Sequence, residues 1–200
     1  MEKDLNVRKF LADWQKRWPL RRESEEVILT SLFSWLPGLH GNSYLANYLA
    51  DRLGARIEGF EFTGSTDSFF PEIFESMGCQ LLLTLRDGAD FEEMAAATRD
   101  RLRGEIKSKH EFLKIHLDGI QVGDLIYNSY CRYYLEATLN LEDDRLWNLV
   151  YESTVIHGIC KRYFDSTRVL FLVSDHLSYL RSGIPARIAL SRHIPVVRVG

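Results

Sequence analysis

Residues 27–59, VILTSLFSWLPGLHGNSYLANYLADRLGARIEG, constrain the fold more than any other part of the chain. Val27 to Phe33 is an apolar run rich in β-branched and aromatic residues, the pattern of a buried strand. Pro37, Gly38 and Gly41 then break regular structure, so residues 36–42 read as a loop. Asn42 or Ser43 is placed to cap a helix with Leu45, Ala46, Leu49, Ala50 and Leu53 at the 3.6-residue period. Gly54 ends that helix, and Ala55 to Phe62 resumes as a strand. A strand, loop, helix and strand in this order build a parallel sheet. The polar loop falls just past the carboxyl end of the first strand, where open α/β sheets hold ligands.

The rest of the chain extends this pattern. A polar loop at 63–68, a short helix from Phe69 to Met77 and a terminating Gly78 lead into a third strand at 79–85. Arg86-Asp87-Gly88 reads as a turn. Residues 90–164 carry little strand signal, and helical spacing prevails there, most clearly in the stripe Leu146, Leu149, Val150, Ser153, Ile156, His157, Cys160 and Phe164. A fourth strand at 168–173, a helix at 183–192 begun near Pro185, and a fifth strand at 195–199 complete the set. Strands separated by helices predict right-handed crossovers and a parallel sheet. The expected fold is a doubly wound, Rossmann-like α/β domain over residues 23–200, with about five strands in the order 3-2-1-4-5 and a helical insertion at 90–164. The winding then reverses between the first and fourth strands, and the loops carrying His40 and Asp175-His176 face one crevice.

Residues 2–22 read as an amphipathic helix with Leu5, Phe10, Leu11, Trp14 and Trp18 near one face. Such a helix either packs on its own domain or touches a membrane surface, although Glu2, Asp4 and Asp13 weaken attraction to anionic lipid. The formal net charge of -3 argues against a general nucleic-acid binder. No apolar run approaches the ~20 residues of a membrane span, and MEKDLNVRKF lacks a signal-peptide core. Cys79, Cys131 and Cys160 have no metal-ligand spacing, and their odd number suits free thiols in the cytoplasm.

Three stretches carry candidate chemistry. In the first, Gly38 and Gly41 permit close backbone approach to a ligand, and Asn42 lies where helix-start amides receive an anion or a sugar hydroxyl. His40 between them either removes a proton from an alcohol as a general base or simply bonds backbone. In the second, Asp175 either orients an imidazole, from His176 or His40, or holds sugar hydroxyls; helix capping is the plainer reading. Ser178 and Tyr179 add hydroxyls and a flat ring for carbohydrate. The third, residues 118–130, sets Asp118, Gly119, Gly123 and Asp124 before a helix bearing Tyr127, Tyr130, Tyr133 and Tyr134. That pattern is either a polar aromatic wall or a capped helix with half-buried tyrosines. The chain contains no GxxxxGK[ST], GxGxxG after the first strand, HExxH, CxxC or GxSxG, so those phosphate-loop, dinucleotide, zinc and serine-esterase chemistries have no support.

PGLHGNSYLANYLADRLGA at 37–55, DGIQVGDLIYNSYCR at 118–132 and VSDHLSYLRSGIPARIALSRHIPVV at 173–197 resemble bacterial surface-carbohydrate and capsule-polysaccharide biosynthesis proteins. Those proteins look like glycosyltransferases of the two-domain GT-B architecture, in which the amino-terminal half binds acceptor and the carboxyl-terminal half binds the nucleotide-sugar. The matching pieces cover about a third of the chain. The resemblance implies an amino-terminal, acceptor-side half, with the nucleotide-sugar held by a second domain outside these residues and no other cofactor or metal. It assigns His40 as catalytic base and Asp175 as second choice. It implies acceptor binding by Gly38, Gly41, Asn42, Asp124, Tyr127, His176, Ser178 and Tyr179. A metal-independent transfer at the inner face of the membrane, with peripheral contact only, completes this expectation. Two other readings stay open: a carbohydrate- or nucleotide-binding module without catalysis, and a stand-alone Rossmann-like enzyme such as a sugar epimerase.

Overall fold

A computed structural model of the 200-residue chain describes Trp18 and residues 22–32, 36–62, 76, 78–174 and 176–199, with side chains from 41 onward in the segment 36–62. Five strands form the sheet: β1 (Glu26–Ser31), β2 (Arg56–Glu61), β3 (Cys79–Thr84), β6 (Arg168–Ser174) and β7 (Val196–Arg198). Their order is β3-β2-β1-β6-β7. β1 runs parallel to both β2 and β6, and β6 runs parallel to β7. This is the doubly wound α/β sheet that the sequence implies, with the order 3-2-1 continued by the last two strands. Its centre is buried: β1 has five consecutive buried residues, Val27 to Ser31, as a strand covered on both faces requires.

The chain divides into two compact units, one comprising Met1–Leu83, Thr167–Asp175 and Pro195–Gly200, the other Thr84–Ser166 and His176–Ile194. In the first unit α1 (Leu36–Leu53) follows β1. Ala46 and Ala50 pack with Ile28, Ile57 and Val173, small residues that let the helix lie close to the strands. The expected stripe of α1 holds for Ala46 and Ala50, which are buried, and for Leu45 and Leu49, which pack partly buried against the same core; it fails at Leu53 and is extended by polar residues. Asn42, Ser43 and Asn47 are buried with Ala46 and Ala50, whereas Leu53 is 42% exposed. The Asn47 amide is satisfied on both sides: Asn47 Nδ2 donates to the Ser43 carbonyl at 3.0 Å, and Arg22 donates to Asn47 Oδ1 at 3.1 Å. Gly54 at φ +66° ends α1 as expected, and Gly78, just before β3, also has a positive φ of +69°. The short helix proposed for 69–77, apart from the helical and buried Ser76, and most of the amphipathic segment 2–22 lie outside the described residues. Of that segment, the Trp18 ring meets Tyr44 edge-on at 5.9 Å and Arg22 pairs with Asp51 at 2.6 Å.

The second unit is helical, with a 3-10 helix at Leu85–Phe91 followed by α2 (Glu92–Glu105), α3 (Lys109–Leu113), α4 (Gly123–Tyr134), α5 (Asp144–Ser166) and α6 (Leu180–Ser191). All eight residues of the stripe read in α5 are buried. One strand pair interrupts the helices: β4 (His116–Leu117) and β5 (Ile120–Gln121) form an antiparallel hairpin. Asp118 at φ +47° and Gly119 at φ +82° form its two-residue turn, the left-handed geometry for which Asp-Gly is suited. The helix at the end of the unit begins at Leu180 rather than near Pro185, because the Gly183 amide already donates to Tyr179 O at 2.7 Å. Pro185 therefore sits inside α6, where it removes one backbone donor.

Leu135 caps α4 in the left-handed conformation, φ +55°, with its side chain 85% exposed. A leucine there bears the steric strain of that region and contributes no burial in return. Leu135→Gly is expected to raise stability by about 0.5–1 kcal/mol, net of glycine's larger unfolded-state entropy. A urea midpoint lower than that of the wild type contradicts this assignment.

Candidate functional site

In the first unit the candidate site lies where the strand order reverses. β1 neighbours β2 on one side and β6 on the other, with Thr30 level with Val173. Residues 36–42, expected as a loop, are instead the first two turns of α1. Pro37 is compatible with this because a helix leaves its first amides without intrahelical partners. The cap expected at Asn42 or Ser43 is thus replaced by a helix start at Leu36. Gly41 is required by proximity: a Cβ there would lie 2.6 Å from Val199 Cγ1. His40 and Gly38 are carried by the same helical turns. The side chain of His40, and Asp175 altogether, lie outside the described residues.

Asn42 is fully buried and reaches back to the end of β1. Its Nδ2 donates to Ser31 O at 3.2 Å and to Ser31 Oγ at 3.0 Å. The backbone carbonyl accepts only, so the amide orientation is determined. Asn42 Oδ1 then finds no hydrogen-bonding partner among the described residues. A buried acceptor without a partner is uncommon and marks the carboxyl end of this central strand as a polar spot in the core.

The other candidates belong to the second unit. Asp124 is engaged in a two-pronged ion pair with Arg187, at 2.6 and 2.5 Å. Burial works to raise its pKa, but the Arg187 guanidinium outweighs this and holds the carboxyl below its ordinary value. Arg187 also donates to Gln121 O at 2.6 Å, so the pair ties α4 and the hairpin to α6. Tyr127 accepts from Lys109 Nζ at 2.8 Å. Tyr130, read as part of a wall, is buried and donates to Asp143 at 2.7 Å, an architectural role.

His176, Ser178 and Tyr179 form one group with α4. The imidazole meets the Tyr179 ring edge-on at 6.0 Å, and Tyr179 lies 6.3 Å from Tyr133 at an interplanar angle of 32°. Ser178 O accepts from Asn128 Nδ2 at 3.2 Å, and the Leu180 amide donates to Ser129 Oγ at 2.9 Å. Arg181 stacks on Tyr133 with its guanidinium carbon 5.1 Å from the ring centroid and pairs with Glu152 at 2.6 Å. Arg181 and Glu152 are the participants that sequence reasoning missed. The Arg181–Tyr133 contact spans forty-eight residues and the Arg181–Glu152 pair twenty-nine, and no local period reports them.

The buried His157 of α5 has its pKa lowered by loss of hydration, a pull that Asp118 opposes and that Lys161 and Arg192 reinforce. A histidine held neutral in the fold but free to protonate when unfolded contributes stability that is complete above about pH 6.5. That contribution is lost as pH falls below this value, since the unfolded chain then binds the extra proton. The urea midpoint should therefore fall between pH 7 and pH 5.5, and His157→Gln should reduce that slope. An unchanged slope removes His157 as its source.

All three cysteines are free. Burial pushes the Cys79 thiol up to about 12 and raises Cys160 as well, so neither is a ready nucleophile. Among the described residues no three acidic, histidine or cysteine side chains cluster to hold a metal ion, and no helix is long and apolar enough to cross a membrane. Comparison with protein-family models, with curated proteins and with solved structures finds no match to the chain.

Proposed function

We propose that the chain is the acceptor-side part of a metal-independent glycosyltransferase that builds bacterial surface or capsular polysaccharide on the cytoplasmic side of the membrane. The observation that carries this reading is the reversal point of the sheet. There the carboxyl ends of β1 and β6 are adjacent, α1 starts just after β1, and the buried Asn42 leaves an acceptor oxygen over. The resemblance at 37–55 supplies the chemistry for that place, and α6 and β7 account for most of the stretch at 173–197. An acceptor hydroxyl loses its proton to His40 as the sugar departs from its nucleotide. Asp175, next in sequence after the end of β6, orients the imidazole or the acceptor.

The nucleotide-sugar is bound by a second domain in this reading. The test is to incubate the native-length protein with a panel of nucleotide-sugars and oligosaccharide acceptors and to measure nucleotide release. Acceptor-dependent release is expected. A protein that binds these acceptors but never releases nucleotide in their presence reverts to a carbohydrate-binding module.

A further inference from the structure

The start of α1, which carries His40, is held from two sides, by Ser31 and by Val199. On one side Asn42 Nδ2 donates to Ser31 O at 3.2 Å and to Ser31 Oγ at 3.0 Å, which ties the helix to the end of β1. On the other, Gly41 approaches Val199 so closely that a Cβ at position 41 would meet Val199 Cγ1 at 2.6 Å. We propose that Ser31 and Val199 are positioning residues, which act through Asn42 and Gly41 to fix the place of the turn bearing His40. The proposal rests on His40 as the base of the transfer, and it makes Asn42 and Gly41 packing partners rather than contacts of the acceptor.

Both holds are stiff. Val199 is β-branched, which restricts its side-chain rotation, and its amide donates to Ser174 O at 3.0 Å, so its backbone is fixed to the end of β6. Asn42 is fully buried, and a hydrogen bond to a carbonyl sets direction as well as distance. Further along α1 the contact with the sheet changes in kind. Ala46 and Ala50 meet Ile28, Ile57 and Val173 through apolar surface, which holds a helix down without directing it. Glycine weakens a helix relative to alanine, and burial strips an amide of water. Two such costly residues in succession serve placement, since a helix that only had to stay packed is better served by alanines.

Placement matters because a general base works only within hydrogen-bond reach of the proton it takes. In Gly41→Ala the turn must retreat from Val199 by about 1 Å before the new methyl reaches ordinary contact, and a misplacement of that size costs about 100-fold in rate. Val199→Ala removes the obstruction. The next atom in that direction is Val199 Cβ, 3.7 Å from the position of the new methyl, which is an ordinary contact. A glycine kept free for the approach of a ligand predicts the opposite, because a methyl facing the ligand obstructs it whatever stands at position 199.

The test combines turnover of the native-length protein, with the nucleotide-sugar and acceptor that support release, and backbone amide NMR shifts of the 200-residue chain. Gly41→Ala is expected to lower kcat by about 10- to 100-fold with the KM of both substrates unchanged. The acid limb of its pH profile should persist, since the base is displaced and not lost. The double variant Gly41→Ala/Val199→Ala should regain the turnover, and the amide shifts of residues 38–42 should move in the single variant and return in the double. Asn42→Ala tests the other hold, and serves also where Gly41→Ala does not fold: kcat should fall with the acceptor KM unchanged. A double variant as slow as Gly41→Ala overturns the role of Val199 and leaves the transfer reading standing. A raised acceptor KM in either single variant does the same, and returns that residue to acceptor contact. If the wild type transfers no sugar to any acceptor, the transfer reading fails and the positioning role falls with it, even where the shifts move and return.

Discussion

His40→Ala is expected to lower the transfer turnover of the native-length protein by about 10²–10⁴-fold, the range for loss of a positioned general base. The acid limb of the kcat–pH profile should vanish with it. A base must be unprotonated to act, so turnover in the wild type should rise with pH as the imidazole loses its proton. The substitution should leave the fold intact. Among the side chains described in α1 the buried ones are Asn42, Ser43, Ala46, Asn47 and Ala50, and the urea midpoint of the variant is the control for the fold. Equal turnover in wild type and variant, with equal urea midpoints, removes His40 from the mechanism. A fall in turnover with an unchanged pH profile assigns it a positioning role instead.

Trp147→Ala is expected to cost about 3–5 kcal/mol, the range for truncating a large buried aromatic. The indole is 1% exposed and meets the equally buried Phe112 edge-on at 5.9 Å. Its Nε1 donates to Leu141 O at 2.7 Å, which holds the loop before α5. Alanine removes the packing, opens a cavity and leaves that carbonyl without its donor. Trp147→Phe keeps a ring against Phe112 and loses the hydrogen bond, so about 1–2 kcal/mol is expected, including the indole's extra volume. Chemical denaturation at neutral pH measures both. A loss below 1 kcal/mol for the alanine variant would mean that the unit repacks around the gap.

The residues that proved legible are those whose local chemistry and global role agree. Val27 to Leu29 opens an apolar run fit for a central strand wherever it is placed, and Gly54 ends α1 through its positive φ. The α5 stripe was readable because a long central helix repeats its burial every 3.6 residues. Residues 36–42 misled because Pro and Gly are loop signals in isolation. Pro37 is harmless in a first turn, and Gly41 is there for close packing on Val199. The stripe of α1 is legible at Leu45, Ala46, Leu49 and Ala50, and its polar members are not, for a related reason. Asn42 and Asn47 count as polar in any periodicity, yet each finds hydrogen bonds inside, to Ser31, Ser43 and Arg22.

The sequence by itself determined the class of fold, the order of the five strands and the helical character of the middle of the chain. Hydrophobic spacing decides these within windows of ten to twenty residues, and the handedness of crossovers limits how such windows assemble. Only the tertiary structure decided which candidate groups have partners. Asp124 is engaged by Arg187, sixty-three residues away, and Tyr133 meets Tyr179 and Arg181 across nearly as long a separation. Side-chain pairing depends on distance in space, and no local period encodes it.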